Sequence, residues 1–305
     1  MGIAALTRKG LPYGEARRIR YFVKICEQVL QSPSVNMDFL ISKALESVES
    51  LNFELENYVR KTGIMRSRAV ARNYLRFADW LNFILIEGRL VIPNSYTVFL
   101  ANLGQGKGFF LTKKEKIAFF QHLINVDDFF QLLASLRMRN AIKDHIQDDL
   151  SEHFVESFFE WLVDLNILRP TSTSFGRFNL NPRLGYPIHE FCERAEDPFI
   201  VTKLYATKLL DAPITSDSSF SEGEVWVPFR ESLDKLTQYT RSEVDSRLFS
   251  AFPIILDLQL RLVIDYHALV STGRLIQILK DILPRYDIIF SWNELSKAGY
   301  IKIGR

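Results

Sequence analysis

RKTGIMRSRAVARNYLRFADWLNFILIEGRLVIP, residues 60–93, combines a glycine turn, an amphipathic helix and a hairpin in one stretch. Ser67 is a favourable N-cap and predicts a helix over residues 67–82. The apolar residues of this helix recur at the spacing of one buried helical face, and they are Val70, Tyr74, Phe77 and Leu81. Two short apolar segments around Glu87 and Gly88 end at Pro93, and they predict a β-hairpin directly after the helix.

The opposite face of the predicted helix is basic. Arg68, Arg72 and Arg76 form a row along this face, and Asn73 lies beside the row. Six basic residues and no acidic residue occur from Arg60 to Arg76. This local bias is much stronger than the net charge of +2 for the whole chain would suggest.

The order of helix, glycine turn, amphipathic helix and hairpin resembles the winged helix-turn-helix superfamily over about residues 34–98. The resemblance implies a fold that often binds duplex DNA by placing its recognition helix in the major groove. Arginine suits this task because a guanidinium group can bind phosphate or fork onto a guanine edge. The residues of this module that we expect to contact DNA are Arg66, Ser67, Arg68, Arg72, Asn73, Arg76 and, near the wing tip, Arg89.

Two further interpretations of the basic face stay open. Such a face is often only a solvated surface, and it can also bind an acidic protein. Leu75 lies near the polar side of the helix and suits DNA contact poorly, so we expect it to pack against a neighbouring element. Basic residues upstream could extend the surface as an arm, and they are Lys9, Arg17, Arg18 and Arg20.

The apolar pattern recurs at an offset of 84 residues, where it falls on Phe154, Phe158, Trp161 and Leu165. This repetition predicts a second winged module over about residues 112–182. Thr112 and Glu115 have the spacing of a capping box at its start. In its wing, Arg169 and Arg177 are candidate DNA contacts.

Charge inverts between the two matching helices. The arginine row of the first helix becomes Glu152, Glu156 and Glu160 in the second. A row of carboxylates is repelled by a phosphate backbone. We therefore expect these three glutamates to stay in solvent or to bind a basic surface on a protein partner or on a second copy of the chain.

The predicted fold is mainly α with short β-hairpins, organised as tandem winged-helix domains plus a helical C-terminal domain. We expect a basic winged-helix domain with an N-terminal helical extension at 1–110, an acidic winged-helix domain at 111–195 and the C-terminal domain at 196–305. Residues 1–110 carry six more basic than acidic residues, and 111–200 carry four more acidic than basic. Ser271 predicts the N-cap of a helix in the last domain, for which a third winged helix is one alternative.

Catalytic, metal and cofactor sites are not predicted. The segment GQGKG (104–108) lacks the Ser or Thr that follows the lysine of a phosphate-binding loop. His145, Asp149 and His153 have a helical spacing that could hold a metal ion, but a polar helix face is the simpler interpretation. The two cysteines have no redox spacing, and no apolar run reaches bilayer length, so we expect a cytoplasmic protein.

The sequence therefore predicts a non-catalytic protein that binds double-stranded DNA through the helix 67–82. The alternative is a protein-interaction adaptor or scaffold subunit of a nucleic-acid processing or defence complex. In that alternative, the basic row of one copy could bind the acidic row of another and produce a head-to-tail homo-oligomer.

Overall fold

The structure is a computed structural model, and the description covers residues 16–56, 64–103, 108–126, 129–130, 133–134, 136, 139–141, 152–170, 177–192, 198–216, 220–240, 248–293 and 298–303. Within these residues the chain is mainly helical with small sheets, as the sequence predicted at that level. The described residues up to 210 form one compact unit, and those from 211 onward form a second.

The first unit contains nine helices in its described part. They are α1 (Ile19–Gln31), α2 (Met37–Ser47), α3 (Glu49–Glu56), α4 (Arg68–Trp80), α5 (Ser95–Leu103), α6 (Lys113–Leu123), α7 (Glu152–Asp164), α8 (Gly185–Cys192) and α9 (Pro198–Leu210). Its strands are β1 (Val35–Asn36), β2 (Leu85–Glu87), β3 (Leu90–Ile92), β4 (Arg139–Ala141), β5 (Leu168–Pro170) and β6 (Arg177–Leu180).

The second unit contains three α-helices and five strands in its described part. They are β7 (Thr215–Ser216), α10 (Glu222–Thr240), β8 (Leu248–Ser250), α11 (Ala251–Tyr266), β9 (Ala268–Leu269), α12 (Thr272–Ile282), β10 (Ile288–Asn293) and β11 (Ala298–Ile303). Ser271 caps α12, because its hydroxyl oxygen accepts a hydrogen bond from the Arg274 N–H at 3.3 Å. This cap confirms what the sequence predicted at Ser271.

Three antiparallel sheets share one strand order. In each, the strand that comes last in the chain lies between the other two, so the orders are β1-β3-β2, β4-β6-β5 and β8-β11-β10. A short parallel pair joins β7 to β9. The two outer strands of each sheet are separated in sequence by at least one helix. Each of these sheets therefore pairs a β-hairpin with a strand from an earlier part of the chain.

Helix α4 begins and ends as the sequence predicts. The Ser67 hydroxyl oxygen accepts a hydrogen bond from the Val70 N–H at 3.3 Å, which satisfies one donor of the first turn. Tyr74, Phe77 and Leu81 are fully or almost fully buried. Leu75 is also buried, as its position near the polar side of the helix led us to expect.

The exit from α4 has a close counterpart at the exit from α7. Asn82 and Asn166 follow the two helices with left-handed φ angles of 59° and 63°. Polar residues adopt this conformation more readily than branched ones. In both turns the carbonyl of the asparagine accepts a side-chain amide hydrogen bond, from Asn94 at 3.1 Å and from Asn181 at 2.7 Å. The 84-residue repeat therefore extends to backbone geometry and hydrogen bonding.

An aromatic core joins the two halves of the first unit. The buried Trp161 ring of α7 makes edge contacts with Phe22 of α1 and Phe77 of α4, both at 5.8 Å between ring centroids. Phe158 of α7 lies 6.5 Å from Trp80 of α4. The sequence places a domain boundary at 110/111, whereas the structure packs the residues on both sides of this position around one core.

Candidate nucleic-acid interface

The outer face of α4 carries exposed arginines. The side chains of Arg68 and Arg72 are 52% and 45% exposed, and Arg66 and Arg76 are also exposed. Asn73, which the sequence assigned to the same surface, is half-buried. A rise of about 1.5 Å per residue separates successive members of the row by about 6 Å along the helix axis. The structure thus presents the arginine row as a continuous face.

Asp38 of α2 contacts this row. Its carboxylate lies 3.2 Å from the Arg68 guanidinium and 3.4 Å from that of Arg72. The Ser42 hydroxyl accepts a further hydrogen bond from Arg68 at 2.9 Å. Exposed ion pairs of this kind stabilise a protein by at most about 1 kcal/mol. A phosphate group can therefore replace the Asp38 carboxylate at little cost.

The β2–β3 turn lies beside the same surface. Gly88 has a φ angle of 62°, which favours glycine, and the next residue, Arg89, is exposed. The carbonyl of Arg89 accepts a hydrogen bond from the Met37 N–H at 2.8 Å. Because Met37 precedes Asp38 directly, Arg89 lies near the two arginines that Asp38 contacts. The backbone of Arg89 therefore lies against the start of α2, the helix that contacts the predicted row.

Two of the three glutamates in the acidic row of α7 do not face solvent, so the expectation that they bind an external partner is wrong for Glu156 and Glu160. Both residues are buried. Glu156 forms an ion pair with Arg17, and Glu160 lies 3.4 Å from the Arg18 guanidinium. The Glu152 side chain lies outside the described residues.

The segment at the start of α1 covers α7 from Glu156 to Asp164. The Ala16 N–H donates to the Ser157 hydroxyl oxygen at 3.1 Å, and the Trp161 indole N–H donates to the Ala16 carbonyl at 2.6 Å. Further along, the Ile19 N–H donates to the Asp164 carboxylate at 2.9 Å. The charge inversion therefore creates an intramolecular docking surface on α7.

The suggestion of an upstream basic arm is also wrong for the three arginines that the structure describes. Arg17, Arg18 and Arg20 are all buried. Burial lowers the pKa of Arg18, but attraction to Asp164 and Glu160 outweighs this effect, so the net pKa shift is upward. Arg20 forms an ion pair with Glu115, which also completes the predicted capping box with Thr112.

The remaining predicted contacts belong to the second wing. Arg169 is exposed in the middle of β5, opposite Asn179 of β6. Arg177 begins β6, but its side chain lies outside the described residues. The structure does not describe Lys9, His145 or Asp149, nor the His153 side chain. The sequence missed Asp38, because only the fold reveals that α2 packs beside α4.

Metal-binding clusters and membrane-spanning helices are both absent from the described residues. These residues contain no group of three His, Cys, Asp or Glu side chains placed to hold a metal ion. Likewise, none of the helices in the described ranges combines the length and apolar character needed to cross a bilayer.

Comparison with known proteins found no matching family model, curated protein or solved structure. Function must therefore be inferred from the surfaces of this chain alone.

Proposed function

We propose that this protein is a non-catalytic double-stranded DNA-binding protein of the winged-helix type, with α4 as the helix that enters the major groove. The observation that carries the proposal is the exposed row of Arg68, Arg72 and Arg76, with Arg89 beside it on the adjacent turn. Guanidinium groups at this spacing can follow a phosphate backbone or reach base edges.

The order of elements around α4 supports the winged-helix interpretation. The chain runs α1, β1, α2, α3, α4, β2 and β3, and β3 lies between the other two strands. This is the arrangement that places a recognition helix and a wing on neighbouring surfaces. The same strand order follows α7 and α12, so we extend the proposal to two further winged modules in the chain.

The first module is the one suited to DNA. Residues 16–19 cover Glu156, Glu160 and Asp164 of α7, so this part of the equivalent face of the second module is not available to a duplex. Helix α4 keeps the corresponding face exposed and basic. We therefore assign groove insertion to α4 and a supporting structural role to α7.

Duplex binding over a salt series tests this function. We would compare the native protein with Arg68→Glu/Arg72→Glu, using fluorescence anisotropy of a labelled duplex of random sequence. Each lost phosphate contact should lower the slope of log K against log salt by about 0.9. The double variant should therefore bind more weakly and lose about two units of slope if both arginines contact phosphate.

A matched control uses Arg230→Glu/Lys280→Glu, because both residues are exposed and belong to the second compact unit. It makes the same change in net charge far from the proposed surface in sequence. The proposal would be overturned if the two double variants bound duplex equally, or if the native protein showed no salt-dependent binding at all.

The alternative function is binding of an acidic protein segment at the same surface. Two exposed apolar side chains near the arginines favour it, namely Phe39 on α2 and Leu90 on β3, which are 50% and 45% exposed. Apolar residues beside charged ones are common at protein interfaces. In this case an acidic peptide should bind the native protein while duplex does not. Association through Glu156 and Glu160 of a second copy is no longer part of this alternative, because both are buried.

A further inference from the structure

A cavity of about 330 Å³ lies in the first compact unit, near the end of α7 and the start of α6. Its apolar wall comes from Leu55, Phe109, Leu111, Val163 and Leu168. Its charged lining consists of Arg18, Lys116, Asp164 and Arg169. The volume is at the lower end of the range of small-molecule pockets, so it suits a compound of one or two rings.

The Asp164 carboxylate of this cavity already has partners inside the protein. One oxygen of Asp164 lies 3.1 Å from the Arg18 guanidinium, and the other accepts a hydrogen bond from the Ile19 N–H at 2.9 Å. Arg18 also lies 3.4 Å from Glu160 and 5.8 Å from the centre of the Phe109 ring. Arg18 and the Ile19 N–H thus occupy the two Asp164 oxygens, and the other charges of the lining belong to Lys116 and Arg169.

The two other cations of the lining are Lys116 and Arg169. Among the described residues, neither the Lys116 ammonium nor the Arg169 guanidinium forms a hydrogen bond or an ion pair within normal distance. Burial lowers the pKa of Lys116, although the charges of Asp164 and Glu115 act in the opposite direction. An anion bound beside Lys116 would stabilise the ammonium that burial disfavours.

We propose that this cavity binds a small organic anion, with an aromatic or compact aliphatic body against the apolar wall and a carboxylate held by Lys116 and Arg169. A charged hydrogen bond to a carboxylate is strong in a partly desolvated site, and the wall supplies the apolar contact. The ligand site is separate from the DNA-binding surface on α4, so this proposal does not depend on duplex binding.

Calorimetric titration with 2-naphthoate tests the proposal. The probe carries a two-ring body and one carboxylate, and 2-naphthamide is the neutral compound of matching shape. At about pH 6 the carboxylate is ionised and lysine is normally protonated. We expect naphthoate to bind with one-to-one stoichiometry, and we expect the amide to bind about tenfold more weakly or not at all.

Variants identify the site. Lys116→Gln and Arg169→Gln should each weaken naphthoate binding by about tenfold, the loss expected for one charged hydrogen bond. Lys113→Gln is the matched control, because Lys113 lies on the same helix, is exposed and does not line the cavity. Circular dichroism melts should show that all three variants fold.

Three results would overturn the proposal. They are the absence of naphthoate binding at millimolar concentration, equal affinities for the acid and the amide, and equal affinities of Lys116→Gln, Arg169→Gln and Lys113→Gln for naphthoate. Because these titrations contain no DNA, a negative result leaves the proposed function of α4 untouched. Loss of duplex binding in the α4 variants would likewise leave the cavity proposal untouched.

Discussion

The Arg18 guanidinium lies 3.1 Å from the Asp164 carboxylate, across 146 residues of sequence. The backbone N–H of the same arginine donates a hydrogen bond to the Tyr74 hydroxyl at 2.7 Å. Tyr74 belongs to α4, and Asp164 ends α7. One residue therefore connects the exposed basic helix α4 to the acidic helix α7 within the first compact unit.

Substitution Arg18→Ala should strongly destabilise the first unit. It would leave Asp164 and Glu160 buried without their cationic partner, and loss of one member of a buried pair typically costs about 3–5 kcal/mol. The measurement is urea denaturation followed by circular dichroism. Lys43→Ala is the control, because the Lys43–Glu46 pair is exposed and its loss should cost less than about 1 kcal/mol. Equal losses in both variants would contradict the importance of the buried contacts.

His122 should make the first unit less stable in mild acid. Burial lowers the pKa of His122 to about 4, although the hydrogen bond to the Leu81 carbonyl acts in the opposite direction. The ring lies between Phe83 and Tyr96, at centroid distances of 4.8 and 5.0 Å. An unfolded histidine has a pKa of about 6.5, so the unfolded chain binds more protons between these two values.

Proton linkage determines whether His122 raises or lowers the free energy of unfolding as the pH falls. The contribution of neutral His122 is fully present above about pH 6.5 and is lost as the pH falls toward 4, by up to about 3 kcal/mol. Denaturation curves at several pH values should show this slope, and His122→Gln should reduce it. His189→Gln makes the same change at a half-buried site and should leave the slope in place. An unchanged slope in His122→Gln would show that other groups cause it.

The turn after α4 should be sensitive to the residue at position 82. Asn82 has a φ angle of 59°, and this left-handed conformation is unfavourable for residues with a Cβ atom other than Asn or Asp. We expect Asn82→Ala to lower the free energy of unfolding by about 1–2 kcal/mol and Asn82→Gly to change it less. Urea denaturation measures both. If glycine were as disruptive as alanine, side-chain contacts rather than backbone conformation would control the turn.

Local signals in the sequence were sufficient to predict several features. The caps at Ser67, Thr112 and Ser271 depend on a hydroxyl and a backbone N–H three residues apart, so a short window contains the whole interaction. The apolar stripe of α4 was equally readable, because helical periodicity determines which side chains share a face. These features require no knowledge of distant residues.

Tertiary contacts were not predictable in the same way. The sequence shows a charge inversion from α4 to α7, but it does not show that Arg17 and Arg18 cover the carboxylates. That pairing joins residues more than a hundred positions apart, and no periodicity specifies it. Asp38 was missed for the same reason, since its effect on Arg68 depends on how α2 packs against α4. The charge of a face can be read from sequence, whereas what covers that face cannot.

Removal of the Asp38 carboxylate should strengthen duplex binding. Asp38 shares its carboxylate between Arg68 and Arg72, so a phosphate must compete with it for both guanidinium groups. We expect Asp38→Asn to raise the affinity for duplex by about two- to fivefold, in keeping with the small free energy of exposed ion pairs. Fluorescence anisotropy at fixed salt measures the change.

Glu46→Gln is the matched control, because it removes one negative charge from the same helix at an exposed position that contacts Lys43. Equal gains in both variants would indicate a general charge effect, and no gain in Asp38→Asn would mean that Arg68 and Arg72 do not contact the duplex.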